Sequence, residues 1–101
     1  MRKIVKILTM ISIDQKTPNE ISMDIVQRLK KRRKEWHITQ EELSHRSDVS
    51  LGSIKRFERT GEISLISLIK ISIVLDCEDD FEALFKQKKY NSIEEIIKEN
   101  S

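Results

Sequence analysis

Apolar positions recur at helical spacing through most of this chain, and each recurrence is opened by a residue able to cap a helix. Thr17-Pro18-Asn19-Glu20 predicts the first helix, with Thr17 as N-cap, Pro18 at the first helical position and Glu20 completing a capping box. Ile21, Ile25, Leu29 and Trp36, helped by Val26, form its expected buried stripe. Thr39 followed by Glu42 predicts a second capping box, Ser50 the next N-cap, and Gly61 the left-handed residue that ends the helix after it. Between those caps Leu43, Val49, Ile54 and Phe57 are apolar. Ser64 opens a fourth helix through Leu75, with Leu65, Leu68, Ile69 and Leu75 inward and Ser67 and Ser72 small enough for close helix approach. Asp79 with Glu82 predicts the cap of a short fifth helix carrying Phe81, Leu84 and Phe85.

Two arms flank this helical domain of residues 17–85. In the first, residues 1–16, Val5, Ile7, Thr9, Ile11 and Ile13 alternate as on one face of a strand. No second strand signal follows, so such a strand would pair between protomers; a helical or loose arm fits the same residues. In the second, residues 86–101, a polar linker leads to Ser92 and Glu95 as caps of an amphipathic segment with Ile93, Ile96 and Ile97 on one side.

Composition agrees with an all-α chain of one domain. The 101 residues include 2 Gly, 1 Pro and few aromatics, and suffice for a single modest core. The lone Cys77 offers no internal disulfide. The apolar run Ile63–Leu75 contains Lys70 and three serines and is shorter than the ~20 residues of a membrane span. The N-terminus has a basic start and an apolar middle, but Lys6 interrupts it and a small-x-small cleavage site is missing, so the expected location is cytoplasmic. Charge is uneven: residues 1–61 hold 14 Lys/Arg against 8 Asp/Glu, and residues 62–101 hold 5 against 9. A basic first part suits a polyanion, and an acidic second part suits something else.

That balance directs attention to residues 39–61, two capped helices around a tight turn, as in a helix-turn-helix. The major groove of B-DNA admits an α-helix and is read by side chains near its N-terminus. The exposed positions of the second helix are then Ser50, Leu51, Gly52, Ser53, Lys55, Arg56 and Arg59. Leu51 suits a thymine methyl group, while Gly52 allows close approach without a side-chain hydrogen bond. Lys55 and Arg56 reach for guanine N7/O6 or phosphate, and Gln40 is placed to bond a phosphate together with free backbone N–H groups. Six cations within residues 28–34 are either a solvated surface or further phosphate contacts.

Residues 24–85 resemble the Cro/C1 (XRE) helix-turn-helix family, with its lambda-repressor-like five-helix fold. The resemblance rests on ThrGlnGluGluLeu at 39–43, AspValSer at 48–50 and IleLysArgPheGluArgThrGly at 54–61. Ser44 stands where the family usually has a small residue such as Ala, and Asp48 where it has the turn Gly. The resemblance implies an ion pair between Arg33 and Glu58, which removes Arg33 from the phosphate ligands. More narrowly, residues 50–97 are similar to HipB-type antitoxin regulators. That implies a dimeric autorepressor of a palindromic operator in double-stranded DNA, with a HipA-like kinase toxin as a further partner. The alternative is a protein-interaction module whose DNA binding is secondary or lost.

Enzymatic chemistry finds little footing. His37 and His45 lack nearby cysteines, Cys77 lacks a CxxC partner, and Asp76, Glu78, Asp79 and Asp80 lack the spacing and glycine of a calcium loop. No cofactor or metal is expected. Trp36 reads as a core or hinge anchor and Cys77 as a small buried apolar residue.

Overall fold

The computed structural model describes residues 15–88, so the alternating stretch at 3–13 and the amphipathic segment at 92–97 lie outside the described residues. The described residues form five helices: α1 (Pro18–Glu35), α2 (Gln40–Ser47), α3 (Leu51–Thr60), α4 (Leu65–Val74) and the single-turn α5 (Asp79–Glu82). α2 packs against both α3 and α4, and α1 packs against α3.

Local chemistry explains most of the boundaries. At α1, the Thr17 hydroxyl accepts the Glu20 N–H at 3.1 Å while the Glu20 carboxylate accepts the Thr17 N–H at 2.9 Å, so the capping box is complete. Ser50 and Ser64 cap α3 and α4 from one side only, each accepting an N–H three residues on. α2 is closed by Asp48 at φ 60° and α3 by Gly61 at φ 80°. Two further left-handed residues, His37 and Asp76, end α1 and α4. In each case the next residue's N–H reaches back to the helix, Ile38 to Arg33 and Cys77 to Ser72, which makes a Schellman closure without glycine.

Two caps differ from expectation. The Thr39 hydroxyl accepts the Glu42 N–H at 3.0 Å, but the Glu42 carboxylate pairs with Arg46 one turn on rather than returning to Thr39. Asp79 does not cap α5: it is the first helical residue, Glu78 precedes it without a side-chain cap bond, and the helix ends after one turn.

The core gathers Ile38, Leu43, Val49, Ile54, Ile71 and Leu75, with Leu29, Ile63, Val74 and Cys77 packed against it. Val26 and Phe57 are also buried. Leu43, Val49, Ile54 and Phe57 therefore sit where their pattern puts them. The stripe expected on α1 holds only in part: Val26 is buried and Leu29 packs against the core. Ile21, Ile25 and Trp36 are exposed, and the face turned inward carries Val26 and Arg33 with partly covered Ser22 and Leu29. On that face Ser22 and Arg33 bring polar contacts to α3 alongside the buried Val26. Trp36 is thus no core anchor; it lies 46% exposed with the Arg32 guanidinium 6.0 Å from its ring centroid. In α4 the inward residues are Ile71, Ser72 and Leu75, while Leu65 is 60% exposed. Leu84 and Phe85 lie beyond α5 and face solvent. Cys77 is half-buried rather than fully enclosed; burial pushes its thiol above the usual range, opposed by Arg32 and reinforced by Asp80, Glu78 and Asp76.

Candidate nucleic-acid interface

α3 is divided sharply along its length. Ile54 and Phe57 enter the core, and Glu58 is turned toward α1. On the opposite side Gly52, Lys55, Arg56 and Arg59 are all exposed, at the i, i+3, i+4 and i+7 spacing that lines up one helical stripe. Three of those four positions are cations, so the open face of α3 is a basic ridge anchored by an apolar underside.

The ridge is held in orientation by a buried polar knot. Arg33 donates from Nε to Glu58 Oε2 at 2.8 Å and from a terminal nitrogen to Glu58 Oε1 at 2.9 Å. Its other terminal nitrogen donates to the Ile38 carbonyl at 2.8 Å. The side chains of this pair are 9% and 7% exposed, so the fork geometry is fully formed away from water. The expected Arg33–Glu58 geometry is therefore present. Gln40 Nε2 is the third donor to this carboxylate, reaching Glu58 Oε1 at 2.9 Å. Gln40, placed by the sequence at a phosphate, thus has its amide nitrogen tied to the knot. At the other end of α3, Ser22 of α1 donates to the Gly61 carbonyl at 2.8 Å.

The turn between α2 and α3 is made by serines and Asp48. Ser44 Oγ donates to the Val49 carbonyl at 2.6 Å, and Ser47 Oγ accepts the Val49 N–H at 3.2 Å. A serine at position 44 therefore does more than fit a small space: it binds the turn backbone. These bonds and the buried Val49 fix the angle at which α3 leaves α2.

The sequence-nominated residues divide into three groups. Lys55 and Arg59 are exposed on the ridge with no ion-pair partner among the described residues. Arg56 is exposed but paired with Glu62 just past the helix end, its Nε donating at 3.2 Å. At the helix start Ser50 is engaged as the cap, Ser53 accepts the Ser50 hydroxyl at 2.8 Å, Leu51 is half-buried and Gly52 is open. Of the six cations at 28–34, two are committed inside the protein: Arg33 in the knot, and Arg32, which donates to the Leu75 and Asp76 carbonyls at 3.0 and 3.2 Å. Lys30, Lys31 and Lys34 share one surface of α1 with Gln27 and Glu35. Sequence reasoning missed the Glu62 partner of Arg56 and the role of Arg32 in closing α4, because both depend on where separate helices end.

The sequence pattern that defines the Helix-turn-helix family matches residues 29–81, just over half of the chain. The chain belongs to that family. It is the Cro/C1 type of helix-turn-helix, a DNA-binding regulatory domain, and α2 and α3 are its two characteristic helices. No curated protein and no solved structure matches the chain significantly. Among the described residues there is no group of three or more His, Cys, Asp or Glu able to hold a metal ion, and no helix is long and apolar enough to cross a membrane.

Proposed function

We propose that this helix-turn-helix chain is a sequence-specific repressor that binds a palindromic operator as a homodimer, with α3 in the major groove. The carrying observation is the exposed stripe Gly52, Lys55, Arg56 and Arg59 above a core-anchored underside. Lys55 and Arg56 are the main base and phosphate contacts, and Arg59 a phosphate contact further along. Arg56 exchanges its Glu62 partner for DNA, a small cost because both side chains are more than half exposed. Ser50, Leu51 and Ser53 border the base edges, and Gln40 meets the backbone at the start of α2.

The test is a footprint on a selected duplex with the chain and its Lys55→Ala, Arg56→Ala double variant. Loss of protection and a shallower salt dependence are expected, each phosphate contact contributing a log–log slope of roughly −0.9. An unchanged footprint would remove α3 from the reading role.

A second reading, a regulator of the HipB type that also holds a kinase toxin, is favoured by apolar surface away from the ridge. Ile25, Leu29, Leu68, Cys77, Phe81 and Leu84 line an open groove of about 360 Å³ between α1, α4 and α5, and Leu65, Ile66, Ile73 and Phe85 are also exposed. Such a patch suits a protein partner, a second copy or a toxin. Deleting residues 86–101 is expected to spare DNA binding and release a co-purifying protein. A deletion that changes neither complex composition nor dimerisation removes the tail from this role.

A further inference from the structure

The groove between α1, α4 and α5 is apolar inside and carries cations along one edge. Leu29, Leu68 and Phe81 line it half-buried, while Ile25 and Leu84 are 36% and 48% exposed within it. Hydrocarbon left in water forgoes the main favourable contribution to folding. One wall, α5, is a single turn without a side-chain cap bond, too short to hold its conformation alone. An occupant of the groove would give that wall the packing its own hydrogen bonds do not. Arg28, Lys31 and Arg32 stand along the adjoining edge with Glu35 and Asp80. Arg32 is committed to the Leu75 and Asp76 carbonyls, but Arg28 and Lys31 are exposed and make no ion pair among the described residues. An apolar stripe bordered by carboxylates would match both features.

The chain carries such a stripe within reach. Read at the helical 100° per residue, Ile93, Ile96 and Ile97 share one face, Glu94 and Glu99 border it on its two sides, and Glu95 lies opposite. Leu84 lines the groove, and the backbone turns tightly just after it. Phe85 is left-handed at φ 63°, and the Lys86 N–H donates to the Ala83 carbonyl at 3.1 Å. The chain therefore leaves the helical domain beside the groove. Residues 86–91 span about 20 Å at full extension, enough to return Ser92 to it. A tether this short gives the segment an effective concentration on the order of millimolar.

We propose that residues 92–99 occupy this groove on their own chain, with Ile93, Ile96 and Ile97 inside and the flanking carboxylates toward Arg28 and Lys31. The segment buttresses α5 and shields Cys77, which lines the groove. Leu65, Ile66 and Ile73 lie outside the groove and stay available to a separate partner. This assignment goes beyond the DNA-reading role of α3 and does not depend on it.

Cys77 is the single cysteine of the chain and serves as the probe. Its alkylation by iodoacetamide is compared in the full chain, in the triple variant Ile93→Ser, Ile96→Ser, Ile97→Ser, and in the charge-reversed variant Arg28→Glu, Lys31→Glu. Both variants are expected to react at least about fivefold faster, because thiol reactivity follows access. An unchanged rate in either overturns the proposal. A second pair of variants, Ile96→Cys and Glu95→Cys, separates a seated segment from general loosening of the domain. On oxidation by diamide at micromolar protein concentration, Ile96→Cys is expected to form an intramolecular disulfide with Cys77 about tenfold faster than Glu95→Cys. Equal rates at the two positions mean that no particular face of the segment is seated. Disulfide-linked dimers mean that a second copy fills the groove. Either result overturns the proposal.

Discussion

Removing the Glu58 carboxylate strands a charge inside the protein, and the structure allows the consequence to be sized. In Glu58→Gln the Arg33 guanidinium keeps the Ile38 carbonyl but loses its anionic partner at 2.8 and 2.9 Å, with the pair 9% and 7% exposed. Single removal of one member of a buried ion pair costs about 3–5 kcal/mol, because the remaining charge is neither hydrated nor neutralised. A domain of this size has a total stability of roughly 5–15 kcal/mol, so the loss is a large fraction of it. At about 4–8 °C per kcal/mol, the melting temperature should fall by at least roughly 12 °C. The assay is urea unfolding followed by circular dichroism, with the slope m checked for constancy. The double variant Arg33→Met, Glu58→Leu removes both charges and should recover most of the loss, since apolar replacement of a whole buried pair is often near neutral. A cost below about 1 kcal/mol for Glu58→Gln, or a double variant no better than the single one, would refute the reasoning.

Three other perturbations probe the fold. Gly61→Ala should cost roughly 1–2 kcal/mol or more in urea unfolding, because a left-handed conformation disfavours alanine and its Cβ would collide with Ser22 Oγ. Ile71→Ala should cost about 2–5 kcal/mol, whereas Leu65→Ala should stay within about 0.5 kcal/mol; equal costs would contradict the inward face assigned to α4. Glu20 is held below the usual carboxylate range chiefly by the Thr17 backbone N–H, and Asp24 chiefly by the Lys16 ammonium. A depressed folded value contributes stability that is fully present above the unfolded value of about 4 and is lost as pH falls through the folded value. Glu20→Gln should therefore be less stable than the unaltered chain at pH 7 and show a shallower stability loss on acidification; parallel curves would remove Glu20 from the acid response.

Features that depend on a few adjacent residues were legible from the chain. Thr17 with Glu20, Ser50, Ser64, Asp48 and Gly61 all act as their types and spacing imply, because a cap is satisfied by backbone three or four residues away. Even there, Glu42 had two local partners, and the Arg46 guanidinium one turn on prevailed over the Thr39 N–H. The left-handed endings at His37 and Asp76 carried no glycine to announce them.

The face each helix buries is a different kind of property. Periodicity shows that α1 and α4 have apolar residues, but Ile21, Ile25, Trp36 and Leu65 are exposed while Arg33 and Ser72 are buried. The reason is that inwardness is set by partners distant in the chain: Glu58 for Arg33, Gly61 for Ser22, the carbonyls of Leu75 and Asp76 for Arg32. The same holds at the candidate interface. Sequence alone identified the helices, their caps and the basic residues of α3, since all are local in origin. Only the assembled fold separated the cations directed outward from those consumed within.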